Sequence, residues 1–295
     1  MDAEFCLVDV FSDQPFGGNQ LAVFPRAEGL SAPVMQQLAR EFNFAETTFV
    51  VPSKDPGCAG RVRIFTPQTE LPFAGHPTVG TAAVMASLDP STRQFVFEEG
   101  IGPVTVTAEG PAWRLIVPSP DYQTGPDGPS AAAVALALSL PDDAIARCWY
   151  AGIGLRFCFV QLTDAALVDK AALDTAAWTA GVSGGWSPHL YVFSGDFSDG
   201  GRLYARFFAP SIGIAEDPAT GSACATLAAS LAYGSPQADG SYRLRIDQGV
   251  AMGRPSVLNA AACKEHGKLA EASVGGHATV IGRGAITIPG PGDPA

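Results

Sequence analysis

The chain has 295 residues, a hydrophobic content of 47% and a formal net charge of −11. This length accommodates two domains of ordinary size, and the composition is that of a folded globular protein. The acidic balance argues against a nucleic-acid-binding surface, because no cluster of Lys and Arg offsets it. No run of 18 apolar residues is present, which argues against a membrane-spanning helix. The segment Met1–Glu4 lacks the basic and apolar regions of a signal peptide, so we expect a cytoplasmic location.

The first part of the chain consists mainly of short apolar runs bounded by turn residues. Their content of Val, Phe and Ile predicts strands at Phe5–Phe11, Leu21–Phe24, Thr48–Val51, Arg61–Phe65, Gln94–Phe97, Val104–Ala108 and Trp113–Val117. Two helices are predicted between them, at Pro33–Phe42 and His76–Leu88. The stretch 118–129 contains four prolines and predicts a boundary between halves 1–118 and 119–295, with the last strand as a candidate to pack back on the first half.

The second part follows a similar plan. Helices are predicted at Ser130–Leu140, Leu167–Ala180 and Pro218–Tyr233, and strands at Leu155–Leu162, Leu190–Ser194, Leu203–Phe208, Tyr242–Asp247, Ala272–Val274, His277–Ile281 and Ala285–Ile288. Two halves of strands around a helix predict a duplicated, pseudo-twofold α+β architecture with its site between the halves. A doubly wound parallel sheet is the less favoured alternative, because strands outnumber helices.

One segment occurs twice in the chain. Phe65-Thr66-Pro67 precedes Glu70–Ala82, and Phe208-Ala209-Pro210 precedes Glu216–Ala223. In both copies Pro-x-x-Gly-(Thr/Ser)-Ala opens an Ala-rich helix, which predicts that a titratable residue, His76 or Asp217, lies directly before each helix. Two facing helix N-termini would bind an anion and stabilise a developing enolate. A plain helix cap is the alternative interpretation of Asp217.

Glu46 is the candidate acid/base from outside the repeat. It lies in the apolar stretch Phe42–Val51, where desolvation would raise its pKa toward neutrality and suit it to take and return a proton. A solvent-facing Glu at a helix end is the alternative. Asn19, after Gly17-Gly18, is a candidate substrate-binding amide. Arg254, in the Gly-rich loop 247–256, is the cation best suited to pair with a substrate carboxylate, and a structural turn is the alternative for both segments.

Cofactor motifs are absent from the sequence. None of the six cysteines (Cys6, Cys58, Cys148, Cys158, Cys224 and Cys263) forms a Cys-x-x-Cys pair, and no Walker or Rossmann glycine pattern follows a strand. His189, His266 and His277 have no ligand spacing, so no metal is predicted. We therefore predict reduced, buried thiols and no cofactor.

Six segments together resemble the phenazine-biosynthesis isomerase (PhzF-like) family. They occur in the order of the family and cover nearly the whole chain: Pro15–Asn19, Glu46–Val50, Phe65–Pro67, Glu70–Thr78, Asp217–Ala223 and Gln248–Ser256. The chain departs from the family pattern at Gln20, where Pro is common, and at Ala45, where Ser is usual. The second departure removes a hydroxyl next to Glu46.

The resemblance implies a diaminopimelate-epimerase-like fold, in which each half is a β-roll around a central helix, and a homodimer. It implies a cofactor-free isomerase with Glu46 as the acid/base and with His76 and Asp217 as partners that hold substrate or relay protons. Gly75, Gly221 and Ser222 would bind the substrate carboxylate or neighbouring groups. We therefore expect an isomerase that moves a proton within a small carboxylate-bearing metabolite.

Two other functions remain open at this point. The first is a two-thiol racemase or epimerase on the same fold, which needs a Cys at each of two helix starts. Here Cys224 lies inside its helix and has no Cys partner in the first copy. The second is a member that binds a metabolite or a protein and has lost its reaction, since a fold does not by itself imply a function.

Overall fold

The computed structural model describes residues 2–118 and 120–288. The described chain divides into two compact units, one formed by residues 2–116 with 275–288 and the other by residues 117–274. The predicted boundary, between 118 and 119, lies two residues from the observed one. The last strand, which was named as a candidate to pack back on the first half, belongs to the first unit.

The described residues form strands and helices with the following bounds. The strands are β1 (Asp2–Val10), β2 (Asn19–Phe24), β3 (Glu46–Val51), β4 (Gly60–Phe65), β5 (Glu70–Leu71), β6 (Gln94–Glu99), β7 (Gly102–Glu109), β8 (Ala112–Pro118), β9 (Tyr122–Thr124), β10 (Ile145–Ile153), β11 (Leu155–Leu162), β12 (Leu190–Gly195), β13 (Gly201–Ala209), β14 (Ile214–Asp217), β15 (Gly240–Gln248), β16 (Ser256–Glu265), β17 (Lys268–Gly276) and β18 (Ala278–Thr287). The helices are α1 (Ala32–Phe42), α2 (Gly75–Leu88), α3 (Ala131–Ala137), α4 (Ala165–Lys170), α5 (Thr175–Gly181) and α6 (Gly221–Gly234). Among these residues, no helix has both the length and the apolar character needed to cross a bilayer.

The strands of the first unit follow one another in the order β18-β1-β2-β3-β4-β6-β7-β8. All neighbours are antiparallel except β2 with β3 and β4 with β6, which are parallel. A parallel pair needs a crossover connection, and helices α1 and α2 lie in these two connections. The short strand β5 pairs with the end of β4 just before α2 begins.

The second unit repeats the first seven places of this ladder, as β9-β10-β11-β12-β13-β15-β16. Again two pairs are parallel, β11 with β12 and β13 with β15, and helices lie in both crossovers. The short strand β14 pairs with the end of β13 before α6, as β5 does with β4. The shared order and the shared parallel pairs agree with the duplication that the sequence predicts.

One helix in each unit is buried along most of its length. Residues 76–84 of α2 are all buried, and so are Gly221 and residues 223–229 of α6. A helix that is apolar on every side is typical of a position inside a fold. Gly80 allows α2 to pack closely, because a Cβ atom there would lie 2.6 Å from Leu21 Cδ2 and 2.7 Å from Val10 Cγ2. Each unit therefore has strands around a central helix, and the predicted α+β class is confirmed.

The structure aligns the two copies of the repeat differently from the sequence pattern. Both central helices have 14 residues and begin with a glycine, Gly75 in α2 and Gly221 in α6. Counting from these glycines, Pro72 corresponds to Pro218. The Pro-x-x-Gly motif had matched Pro77 with Pro218 instead, which is wrong by five residues.

A repeated set of side-chain contacts supports the structural alignment. Arg63 forms a bidentate salt bridge with Glu70, and Arg206 forms one with Glu216, with N–O distances of 2.7–2.8 Å. Each guanidinium also stacks over the Phe two residues later in its strand. The predicted equivalence of His76 and Asp217 is therefore wrong: the counterpart of His76 is Ser222.

Candidate active site

Glu46 and His76 meet in the first unit. Glu46 is the first residue of β3, where it pairs with Leu21 of β2, and His76 is the second residue of α2. His76 Nε2 lies 3.3 Å from Glu46 Oε2, and the two side chains are only 8% and 14% exposed. His76 was predicted to lie before the helix, but it lies within the first turn. The structure therefore brings together two of the three predicted catalytic residues.

His76 is held as a neutral imidazole. Burial lowers its pKa to about 3, although a hydrogen bond to the backbone of Gln20 favours the charged form. Because Nε2 makes no hydrogen bond among the described residues, Nδ1 is the atom that donates to Gln20. Nε2 of the neutral ring then carries a lone pair, which faces Glu46 Oε2. A hydrogen on Glu46 Oε2 would donate to this lone pair, whereas an ionised carboxylate would repel it.

The bond to Gln20 bears on one departure from the family pattern. His76 uses the backbone of Gln20, so the side chain at this position does not supply the contact. Asn19, the preceding residue, is buried at the start of β2. Gly18 before it has a φ of +65°, and a Cβ atom there would lie 2.3 Å from the carbonyl oxygen of Val10. The Gly-Asn turn is thus required by a close backbone approach.

Glu99, which sequence analysis missed, contacts the first turn of α2 through Thr78. Its N-cap, Ala74, has no side chain that can cap the helix. The buried hydroxyl of Thr78 lies 2.7 Å from the carbonyl oxygen of Ala74 and 2.7 Å from Glu99 Oε1. Glu99 is the last residue of β6 and is 4% exposed, and burial raises its pKa to about 8.

Asp217 belongs to a buried cluster of the second unit. It ends β14, and its Oδ2 accepts a 2.6 Å hydrogen bond from Thr220 Oγ1. Helix α6 begins at Gly221, three residues later than predicted at Pro218, because residues 218–220 form this hydrogen-bonded turn. Asp217 therefore does not lie directly before the helix.

Gln248 connects the parts of this cluster, and sequence analysis missed its role. Its Nε2 donates to the carbonyl oxygen of Asp217 at 2.8 Å and to Thr220 Oγ1 at 3.0 Å. Its Oε1 accepts from Thr220 N and from the buried Tyr191 hydroxyl. Four hydrogen bonds thus use both ends of one neutral amide and fix the turn that carries Asp217.

The remaining predicted binding residues divide between the two units. Gly75 is the first residue of α2, beside His76. Gly221 and Ser222 are the first two residues of α6; Gly221 is buried and Ser222 half-buried. Arg254 is half-buried, and its N–H donates to the carbonyl oxygen of Gly249, which closes the turn that packs on Pro218.

The structure provides no thiols at the two helix starts. The residues before the helices are Ala74 and Thr220. Cys224 is fully buried in α6, where burial raises its pKa to about 12, so it is a thiol and not a thiolate nucleophile. Among the described residues, no group of three or more His, Cys, Asp or Glu side chains is arranged to hold a metal ion.

A half-buried carboxyl next to a buried, neutral imidazole in the first turn of a helix is an arrangement that can move protons. The family model described as phenazine biosynthesis-like protein matches residues 8–284. A trans-2,3-dihydro-3-hydroxyanthranilate isomerase of Pseudomonas chlororaphis is 35% identical over 286 residues, which cover 96% of this chain and 99% of the relative. The chain belongs to the phenazine biosynthesis-like family, and its class is isomerase.

Solved structures agree with the fold. A phenazine biosynthesis protein of the PhzF family from Bacillus anthracis superposes with a TM-score of 0.84 at 20% identity, covering 98% of this chain and all of that one. A probable proline racemase from Agrobacterium radiobacter superposes with a TM-score of 0.57 at 14% identity, covering 97% and 93%. The predicted relation to the epimerase and racemase folds is therefore confirmed at the level of the fold.

Proposed function

We propose that this isomerase shifts a proton between two positions of one small, carboxylate-bearing metabolite, with Glu46 as the general acid/base and without a cofactor. The observation that carries the proposal is the 3.3 Å contact between Nε2 of the buried His76 and Oε2 of the half-buried Glu46. A carboxyl group held in one place beside an imidazole is the kind of group that takes and returns a proton in general acid/base catalysis.

The reaction conserves the proton. Glu46 gives its proton to one carbon of an activated substrate, and the resulting carboxylate takes a proton from another position of the same molecule. The substrate leaves as an isomer, and the enzyme returns to its starting state. His76 orients the carboxyl through its ring, which the Nδ1 bond to Gln20 holds in one tautomer.

The substrate class follows by analogy with the relative from Pseudomonas chlororaphis, whose name specifies a dihydro-hydroxyanthranilate. A compound of this kind has a carboxylate beside a ring that can rearrange through a proton shift. The roles of Asp217, Asn19, Gly75, Gly221, Ser222 and Arg254 toward such a substrate stay predictions. So do the cytoplasmic location, the homodimer and the cleft between the two halves.

The two-thiol racemase is the weaker candidate, although the fold is shared with a probable proline racemase. That chemistry needs a thiolate on each side of the substrate carbon. Here the positions before the two central helices carry Ala74 and Thr220, and Cys224 has a raised pKa. A silent binding protein is also disfavoured, because a buried carboxyl against a buried imidazole costs stability that a scaffold does not need.

Proton exchange tests the proposal directly. The enzyme is incubated in heavy water with trans-2,3-dihydro-3-hydroxyanthranilate and with a panel of small unsaturated carboxylic acids, and deuterium incorporation is followed by mass spectrometry. We expect Glu46→Gln to lower exchange by about 10²–10⁴-fold, the usual contribution of a general acid/base. Glu41→Gln is the matched control, because Glu41 is exposed on α1. Exchange by Glu46→Gln at the wild-type rate would overturn the assignment.

A further inference from the structure

Glu99 is a strongly buried carboxyl of the first unit that the proposed reaction does not use. Its Oε1 contacts Thr78, and its Oε2 has no hydrogen-bond partner among the described residues. No salt bridge within the described chain reaches it. An ionised carboxylate in this place would have a single hydrogen bond to compensate for its desolvation, which is a costly arrangement.

The number of hydrogen atoms available to Thr78 favours one protonation state of Glu99. Thr78 has one hydroxyl hydrogen but lies 2.7 Å from two oxygen atoms, the Ala74 carbonyl and Glu99 Oε1. A carbonyl oxygen and an ionised carboxylate can both only accept, and one hydrogen cannot serve both, so we assign the Thr78 hydrogen to the Ala74 carbonyl. The contact with Glu99 is then a hydrogen bond only if Glu99 is the donor, which requires a protonated carboxyl.

The second unit has an uncharged group at the same position. Glu99 is the last residue of β6 and Gln248 the last residue of β15, and each is followed by a glycine. A Cβ atom on Gly100 would lie 2.6 Å from Pro72 Cα, and one on Gly249 would lie 2.6 Å from the carbonyl oxygen of Pro218. Because Pro72 and Pro218 correspond, Glu99 and Gln248 correspond as well. A protonated carboxyl and an amide have nearly the same shape, and both can donate a hydrogen bond.

We propose that Glu99 is a positioning residue kept as a neutral carboxylic acid, which fixes the first turn of α2 through Thr78 and thereby the ring of His76. The inference rests on the proposed function only where it involves His76. Gln248 acts in the same way on the turn before α6, through Thr220 and Asp217. Each central helix lacks a side-chain cap, and the end of the following strand supplies the support instead.

The groups around Glu99 do not offer it a countercharge. On α2, the titratable residue of the first turn is His76, which is neutral. On β6, Glu98 points to the opposite face, where it accepts a hydrogen bond from Ser53 and lies 3.9 Å from Arg61. Across the ladder, Glu99 pairs with Gly102, which has no side chain. The raised pKa of Glu99, about 8, agrees with these surroundings.

Infrared difference spectroscopy tests the protonation without using the enzyme activity. The spectrum of wild type minus Glu99→Gln, taken at pH 6, is expected to contain the carbonyl stretch of a protonated carboxyl. This band should shift in Thr78→Val, which removes the hydrogen-bond partner, and return in Thr78→Ser. A difference spectrum with only carboxylate bands would overturn the proposal. The spectrum of wild type minus Glu46→Gln identifies any separate band from Glu46.

Kinetics test the positioning role. We expect Glu99→Gln, which keeps a neutral donor, to retain most of the wild-type kcat. Glu99→Ala and Thr78→Val should lower kcat by roughly 10- to 100-fold, the cost of a misplaced catalytic group, with a smaller change in KM. In wild type, kcat should fall as pH rises through about 8, and this fall should be absent in Glu99→Gln. Equal losses of kcat in Glu99→Gln and Glu99→Ala would overturn the positioning role. The infrared spectra test the protonation of Glu99 independently of this result.

Discussion

The two units have the same ladder of strands and the same Arg–Glu pair before the central helix, but they place different chemical groups at matching positions. At the end of the strand that follows the central helix, the first unit has Glu99 and the second has Gln248. At the second residue of the helix, the first unit has His76 and the second has Ser222. The shared contacts are those that maintain the fold, whereas the differences are concentrated in groups that can exchange protons.

The position of the proposed base extends this comparison. In the strand pairing, Thr47 faces Phe65 and Leu190 faces Phe208, so the residues before them, Glu46 and His189, correspond. His189 is half-buried, and its contact with Ser211 is 3.5 Å long. Glu46 is in close contact with a buried imidazole, whereas the His189 ring lies beside the ring of Phe207 and at 3.5 Å from Ser211. The two units thus have equivalent backbone positions here, and we infer that the first unit carries the acid/base pair at this position.

The largest expected effect is a loss of kcat on substitution of Glu46 that is not matched on substitution of His189. We expect Glu46→Gln to lower kcat by about 10²–10⁴-fold. We expect His189→Gln to change kcat by less than about threefold, which is below 1 kcal/mol of activation free energy. Steady-state rates of the two purified variants test this. Comparable losses in both would mean that each unit supplies a proton-transferring group, and the asymmetry argued above would be lost.

The Arg–Glu pairs should differ in their contribution to stability. Arg206 and Glu216 are 11% and 16% exposed, against 20% and 39% for Arg63 and Glu70. The Arg206 guanidinium also donates to the carbonyl oxygens of Val168, Asp169 and Ala171. We expect Arg206→Met to lower the free energy of unfolding by up to about 3 kcal/mol, because it leaves a largely covered carboxylate unpaired.

The matched variant, Arg63→Met, should cost about 1 kcal/mol or less, because its partner is more exposed. Urea unfolding of both variants gives the two free energies. Equal costs would show that burial of the pair does not control its contribution.

A third prediction concerns pH. The pKa of Glu99 is raised from 4.5 to about 8 in the folded state, so the folded protein binds this proton more tightly than the unfolded chain does. The stability that this difference contributes is complete below about pH 4.5 and is lost as pH rises toward about 8. The steepest loss is about 1.4 kcal/mol per pH unit.

Unfolding curves of wild type and Glu99→Gln, measured at several pH values, isolate this contribution. Relative to the variant, wild type should lose stability between about pH 4.5 and 8. His76 acts in the opposite direction: its pKa is lowered to about 3, so its contribution is lost as pH falls from 6.5 toward 3, and it is common to both proteins. A difference between the two proteins that does not vary with pH would contradict the buried, neutral carboxyl.

The smallest effect is expected from thiol chemistry. Cys224 is fully buried with a raised pKa, and it corresponds to Thr78 rather than to a residue before the helix. Treatment of the native enzyme with iodoacetamide should therefore leave its activity unchanged. Loss of activity that substrate protects against would favour the two-thiol mechanism.

Much of the fold could be predicted from local sequence. Helix α2 was expected at His76–Leu88 and occurs at Gly75–Leu88, because an apolar, Ala-rich run bounded by Gly and Asp leaves few alternatives. Helix α6 was expected three residues too early, since a Pro after Asp is typical of a helix start. The error has a tertiary cause, because Gln248, far along the chain, holds residues 217–220 in a turn.

The candidate site could be predicted only in part for the same reason. Glu46 and His76 were selected for their local surroundings, and they do meet. Glu99 was missed because nothing around it in the sequence distinguishes it from Glu98, its exposed-face neighbour on the same strand. The alternation of a strand assigns one of them to solvent and the other to the interior, and only the position of α2 decides which carboxyl is buried.

By itself, the sequence determined the class of fold, the existence of a duplication and the family, because these depend on residue patterns that persist over the whole chain. The tertiary structure decided the register of the duplication, since Gly75 and Gly221 begin equivalent helices although the Pro-x-x-Gly motif suggests otherwise. It also decided which carboxyl groups are buried, and burial is what converts an ordinary Glu into a group that can hold a proton near neutral pH.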